Sequence, residues 1–206
     1  MKQSTVSQVR RREIIDVAKN LFIEHGFENT SVTQIARKAA VAKGLVYYYF
    51  ETKEDVLDSV IEILCLEHVG ILQARIEEVK DDFFAQLLVL IDVYADLHPY
   101  LGYKDIRNFN DTRLVAEFHA RYLKGIHDEL FTLIDKGRSL GHFDLEYSEQ
   151  MVIMALEGLY GLSRIQLPSR KMVAVLAEQT LNLPKGSLVE KSSIYLKNYK
   201  EEEGII

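Results

Sequence analysis

"SVTQIARKAAVAKGLVYYYFETKEDVL", residues 31–57, holds two helix starts with a row of tyrosines between them. Ser31 opens a Ser-x-x-Gln capping box with Gln34, an arrangement that satisfies two orphan backbone donors at a helix start. Val32, Ile35, Ala36 and Ala39 follow at offsets 0, 3, 4 and 7, which predicts a short, one-sided helix ending near Ala40. After Val41 a second short helix is expected over 42–49, with Leu45, Val46 and Tyr49 on its inner side. Lys43, Gly44, Tyr47 and Tyr48 then face away. Thr52 repeats the box logic with Asp55 and opens a long helix to about Val79. Glu54 and Asp55 suit the positive end of its dipole.

Working backward, Ile14, Ala18, Leu21 and Phe22 form one helical stripe within residues 7–25. Gly26 stands where a left-handed cap would stop that helix, and Phe27 can pack back across it. Two short helices that cannot bury their own apolar faces make sense packed on this third one, as a helix-turn-helix. In such a unit the second helix enters the DNA major groove and the first crosses the backbone. The outward residues then have work to do. Lys43 can neutralise a phosphate, Tyr47 and Tyr48 can hydrogen-bond to phosphate or base edges, and Gly44 allows close backbone approach. Leu45 at the rim could touch a thymine methyl. Thr33 and Lys53, each in the first turn of its helix, can anchor phosphates on either side. The bland alternative is a packing edge, but the adjacent helical positions Tyr47 and Tyr48 cannot both face one core.

The totals agree with this division. The chain of 206 residues carries a net charge of -6. Residues 1–53 hold nine Lys/Arg against five Asp/Glu, and the remainder holds sixteen against twenty-six. A basic front end on an acidic body fits a small nucleic-acid-binding domain, although a solvated face would look the same. The single cysteine, Cys65, excludes an intramolecular disulfide framework. No signal-peptide pattern and no apolar run of about 18 residues is present. A cytoplasmic protein is expected, with no membrane association.

Beyond the long helix, periodicity predicts an amphipathic stretch over 81–97, a break at His98-Pro99, and helices over about 111–137, 146–166 and 169–183. A last helix is expected from Pro184-Lys185-Gly186 to Lys200. The fold class is therefore all-α, divided at 1–52 and 53–206. "MVIMALEGLYGLSR" carries Ala155, Gly158 and Gly161 near one side, small enough for two helices to approach closely. An internal glycine costs about 1 kcal/mol in a helix, and a close partner would explain keeping two.

"TSVTQIARKAAVAKGLVYYYFETKEDVL" also closely resembles the DNA-binding signature of the TetR family of bacterial transcription repressors. There a Thr-Val-x-x-Ile-Ala helix precedes Val-Ser-Lys-Gly-x-Leu-Tyr-x-Tyr-Phe and a Lys-Glu-x-Leu start. The resemblance covers about the first 60 residues and places Thr33, Lys43, Gly44, Leu45, Tyr47, Tyr48 and Lys53 at positions the family uses on DNA. Two departures stand out: Ala40 replaces the usual turn glycine, and Ala42 the usual serine cap of the reading helix. The resemblance implies an N-terminal three-helix DNA-binding domain and a helical C-terminal domain that binds a small-molecule effector and forms a homodimer. It places the dimer interface on 151–165 and 171–181, including Ala155, Gly158, Gly161 and Leu162. Half-sites on a near-palindromic operator would then lie about 34–36 Å apart, or a multiple of that.

For the effector, Tyr94, Phe109, Phe118, Tyr122 and Tyr160 enrich the central helices in aromatics, with Phe83, Phe84, Tyr100 and Tyr103. An apolar cavity with few polar groups is the usual small-molecule site, so a partly apolar effector is expected. His119, Glu157, Asp92 and Arg164 are the polar candidates. Each aromatic could equally be plain core.

An enzyme is not expected. No Glu-x-x-His pair, Gly-x-Ser-x-Gly, Walker or dinucleotide fingerprint appears. Cys65 and His68 share a helix face without a third ligand and read as a buried thiol and a surface histidine. No metal or cofactor is predicted. The expected function is a ligand-responsive regulator that represses by binding an operator duplex. A co-regulator whose helical body binds a protein partner is the alternative.

Overall fold

The computed structural model describes residues 2–100, 112–163, 165–166 and 168–191. Among the described residues regular structure is entirely helical. The head comprises α1 (Lys2–His25), α2 (Val32–Lys38), α3 (Lys43–Tyr49) and the start of α4 (Lys53–Glu78). After it come α5 (Phe83–Tyr100), α6 (Thr112–Gly125), α7 (His127–Ser139), α8 (Ser148–Ser163) and α9 (Arg170–Thr180).

Both expected capping boxes close. Ser31 Oγ accepts from the Gln34 N–H at 3.2 Å and Gln34 Oε1 from the Ser31 N–H at 2.7 Å. At α4, Thr52 Oγ1 accepts from the Asp55 N–H at 3.1 Å and Asp55 Oδ2 from the Thr52 N–H at 2.8 Å. Gly26 ends α1 at φ 81°, donating to the Phe22 carbonyl at 2.9 Å. The Phe22 and Phe27 rings then meet at 5.4 Å across the cap.

The turn after α2 is a Schellman motif: Val41 N–H donates to the Ala36 carbonyl at 3.0 Å and Ala40 N–H to that of Arg37 at 3.2 Å. Its left-handed position is Ala40, at φ 54°. The same motif after α7 and α9 uses Gly141 and Asn182, residues that tolerate this region.

One compact unit takes in the described residues of Met1–Glu67 and Pro99–Gly125. Its core stacks Ile14, Ile15 and Phe22 of α1 with Ile35 of α2, Val46 of α3 and Ile61 of α4, all essentially buried. Each such side chain contributes roughly 1.5–3 kcal/mol by leaving water. From α6, Phe118 and Tyr122 stack at 5.8 Å, and the Cys65 thiol donates to the Phe118 carbonyl at 3.8 Å.

The other unit takes in the described residues of His68–His98 and Ile126–Ile206. Here Asp92 of α5, almost buried, accepts from Arg75 of α4 at 2.6 Å and from Arg170 of α9 at 2.8 Å. Glu178 of α9 is also buried, and its carboxylate accepts the N–H groups of Gly186, Leu188 and Val189 at 2.8–3.2 Å. It ties the 184–188 turn to α9.

Three expectations change. The break at His98-Pro99 is absent, and α5 continues to Tyr100. A proline in the last turn costs a single helical hydrogen bond there, so it marks the approaching end without cutting the helix. The helix expected over 111–137 divides at Ile126, whose φ of -96° and ψ of 1° leave the helical region while its side chain is 1% exposed. Gly125 weakens the helix before it, and burying Ile126 decides where the chain turns. His68 is buried rather than on the surface, because α4 is covered on that side.

Candidate nucleic-acid interface and apolar cavity

Helix α3 has one inner residue, Val46, at 1% exposure. Around it the helix opens: Lys43, Gly44, Tyr47 and Tyr48 are exposed, Tyr48 at 75%. Leu45 and Tyr49 are half-buried at the rim. Lys43 Nζ lies 5.6 Å from the Tyr47 ring centroid, so cation and ring share one outward face. Thr33 is exposed in the first turn of α2, and Arg37 and Lys38 are exposed in its last. Sequence reading passed over that basic pair, whose only signal was position.

Contacts from neighbouring helices orient this face. Ser7 Oγ donates to Tyr49 Oη at 3.2 Å. Arg11 donates to Ser59 Oγ at 2.8 Å, and its guanidinium sits 5.1 Å from the centroid of the Phe50 ring that ends α3. Arg10 and Arg12 are engaged with Glu13, Asp16 and Glu67 in exposed ion pairs. Lys53 is placed differently from the other proposed contacts. It is half-buried, donates to the Phe27 carbonyl at 2.9 Å and lies 4.0 Å from that ring's centroid. Its ammonium therefore clamps α4 to the α1 cap, leaving two of three hydrogens for anything else. Ala42, at the start of α3, supplies no side-chain cap.

The second feature is an apolar cavity of about 50 Å³ in the unit containing α7, α8 and α9. Of the aromatics proposed for a pocket from sequence, Phe83 and Tyr94 line it, beside Leu90 and Ile91 of α5. Facing walls come from Leu130 and Ile134 of α7, Val152 and Leu156 of α8, and Val173 and Ala177 of α9. Most of these aliphatic residues were not singled out, because an aromatic-rich composition was the signal followed.

Phe118, His119 and Tyr122 are buried in the α6 part of the other unit. Glu157 is exposed on α8 and Tyr160 half-buried, neither lining the cavity. Asp92 is occupied by its two arginines. Phe109 and Arg164 lie outside the described residues, as do Tyr103 and the side chain of Tyr100.

On α8, Gly158 and Gly161 are exposed, and a Cβ added at either would meet nothing within 4 Å. Packing within the chain does not require them to be glycine. Met154 at 73% and Ile165 at 80% exposure are nearby in sequence, and Ala155 and Leu162 are half-buried. Among the described residues no group of three His, Cys, Asp or Glu could hold a metal ion, and no helix is long and apolar enough to cross a membrane.

A family model described as bacterial regulatory proteins of the tetR family matches residues 14–60. The head therefore carries the N-terminal helix-turn-helix domain of that family. The matched span covers α2 and α3 with most of α1 and the start of α4, the elements that build the outward face. The chain is 50% identical over 48 residues to the HTH-type transcriptional regulator HbdR of Aromatoleum sp. (strain CIB), covering 23% of this chain and 21% of that protein. It is 39% identical over 66 residues to the fatty acid metabolism regulator protein of Bacillus subtilis (strain 168), covering 32% of each. These matches span about a fifth to a third of the curated relatives' length. Among solved structures, the fatty acid degradation regulator FadR of Bacillus halodurans aligns over 84% of this chain and 94% of its own, with a TM-score of 0.62 and 25% identity.

Proposed function

We propose that this protein is a ligand-responsive, DNA-binding transcriptional repressor that grips a near-palindromic operator as a homodimer and is released by a small-molecule effector. One observation carries the reading: α3 buries Val46 and turns Lys43, Tyr47 and Tyr48 outward, beside exposed Thr33. A cation and phenolic hydroxyls on a helix of this size match what a major-groove reader presents to phosphates and base edges. Gly44 and the rim residue Leu45 complete the contact set, with Lys53 holding the geometry and sharing its ammonium with phosphate.

The homodimer rests on α8. Exposed glycines with open space above them, next to exposed methionine and isoleucine, suit a second copy packed closely on Ala155, Gly158, Gly161 and Leu162. The effector reading rests on the cavity, since an apolar hollow is a ready small-molecule site. Other proteins of this fold have been solved with ligands as unlike as triclosan and stearoyl-CoA, so relatedness leaves the effector's chemistry open. α4 starts with the clamp at Phe27 and ends with the Arg75 pair to Asp92. Effector binding would shift α4 and the spacing of the two reading helices, and effector and operator would weaken each other by the same factor.

The test is selection of genomic fragments by the purified protein, followed by titration at several salt concentrations. A selected fragment should carry a near-palindrome and lose affinity steeply with salt. Failure to retain any fragment above bulk DNA would end the proposal.

A further inference from the structure

Helix α3 has little of its own to hold it in place. It is seven residues long, it has no side-chain cap at Ala42, and Val46 is its one buried side chain. Helices shorter than about 12 residues are marginal without outside packing. The direction in which Lys43, Tyr47 and Tyr48 point therefore depends on what grips α3 from outside.

Its far end is gripped from α1. Ser7 and Arg11, four residues apart and so neighbours on one face of that helix, reach the two residues where α3 stops. Ser7 Oγ donates to Tyr49 Oη at 3.2 Å, and the Tyr49 ring stands edge-on to that of Tyr48 with centroids 5.1 Å apart. Arg11 lies 5.1 Å from the ring centroid of Phe50, the buried C-cap. Its Nη2 donates at 2.8 Å to Ser59 Oγ, on a serine buried in α4. Arg10 and Arg12 answer exposed carboxylates, whereas Arg11 joins α1, the end of α3 and α4. A guanidinium suits that place, because its plane can lie on a ring while its N–H fork reaches an acceptor.

We infer that Arg11 is a positioning residue for the reading helix: it stays off the DNA and, through Ser59 and Phe50, fixes the angle at which α3 presents Tyr47 and Tyr48 to base edges. This rests on the proposed duplex-binding reading and adds a residue behind the contact face. Base edges are read by short, directional hydrogen bonds, so a helix free to tilt loses them first, while phosphate attraction tolerates the tilt. Loss of Arg11 therefore lowers selectivity before it lowers general affinity.

The experiment compares the full-length wild type with Arg11→Met and Ser59→Ala on two duplexes across a salt series. One is the genomic fragment that the wild type selects, the other a random-sequence duplex of equal length. Ser59→Ala leaves every charge in place. Each variant should lower the ratio of fragment to random-duplex affinity about tenfold, as loss of one hydrogen bond to a charged group would. Random-duplex affinity and salt slope should match wild type. The double variant should be no worse than Arg11→Met alone, because both changes break the same contact. A wild-type ratio in Ser59→Ala overturns the inference, and so does a salt slope lowered by about 1 per protomer in Arg11→Met, the mark of a phosphate ligand. Equal losses on both duplexes would mean a purely structural role and overturn it too. Ser59→Ala decides alone if Arg11→Met does not fold. A wild type that selects no fragment ends the duplex reading and this inference with it, whereas a selective wild type with equally selective variants ends this inference only.

Discussion

Helices α3 and α8 each bury one stripe and leave large side chains in solvent, but they leave different chemistry there. α3 keeps Val46 inside and exposes lysine and tyrosines; α8 keeps Leu156 and Leu159 inside and exposes methionine, isoleucine and two glycines. A polar, cationic surface attracts an anion and stays soluble without it. An apolar surface with small residues gains by excluding water against a close-fitting partner. Exposure alone therefore marks two surfaces, and residue type tells the proposed duplex face from the proposed protein face.

The comparison breaks most visibly at Met154. Met154→Glu would set like charges against each other across a two-fold interface, at a cost of about 3 kcal/mol or more. Sedimentation should show the dimer dissociation constant raised over a hundredfold, with helical content unchanged. A dimer as tight as wild type would remove this face of α8 from the interface.

Lys43→Ala is the matching probe of α3. It should leave the oligomeric state alone, weaken operator binding about tenfold and lower the salt slope by about 1 per protomer. An unchanged slope would take Lys43 off the phosphate. Lys53→Ala sharpens the contrast within the head: the melting temperature should fall, since the clamp on Phe27 is lost, and fall further than for Lys43→Ala.

Smaller effects are expected where the turn departs from the family pattern. Ala40→Gly relieves a left-handed alanine at φ 54° and should raise stability by about 0.5–1 kcal/mol in denaturant titration. Ala42→Ser should add about 0.5–1 kcal/mol by capping α3. A loss of stability at Ala40→Gly would show that the turn relaxes in solution.

The smallest effect concerns Cys65, a buried group outside both surfaces. Burial pushes its thiol up to about 11, with Arg121 opposing. An acid whose folded value is raised stabilises the fold fully below its ordinary value of 9.0, and that contribution is lost as pH rises toward 11. Stability of Cys65→Ala should therefore fall less steeply than wild type over that window, and the native thiol should resist alkylation near neutral pH.

Much of the head was legible from residues close together in the chain. The Ser31 and Thr52 boxes, the Gly26 stop and the inward Val46 depend on neighbours within about one helical turn, and local pattern encodes such neighbours directly. The body was less legible. Phe118 and Tyr122 look as suitable for a pocket as Tyr94 does, yet they pack into the core of the other unit.

What the amino-acid order settled by itself was the all-helical class, the short pair α2 and α3, and which side of α3 faces out. Tertiary structure alone decided which apolar residues wall the cavity, that Lys53 clamps Phe27, that Asp92 is held by arginines 17 and 78 positions away, and that the chain turns at Ile126. The physical reason is range. Caps and periodicity act within a few residues, whereas cavity walls and buried ion pairs join positions whose meeting depends on how the whole chain packs.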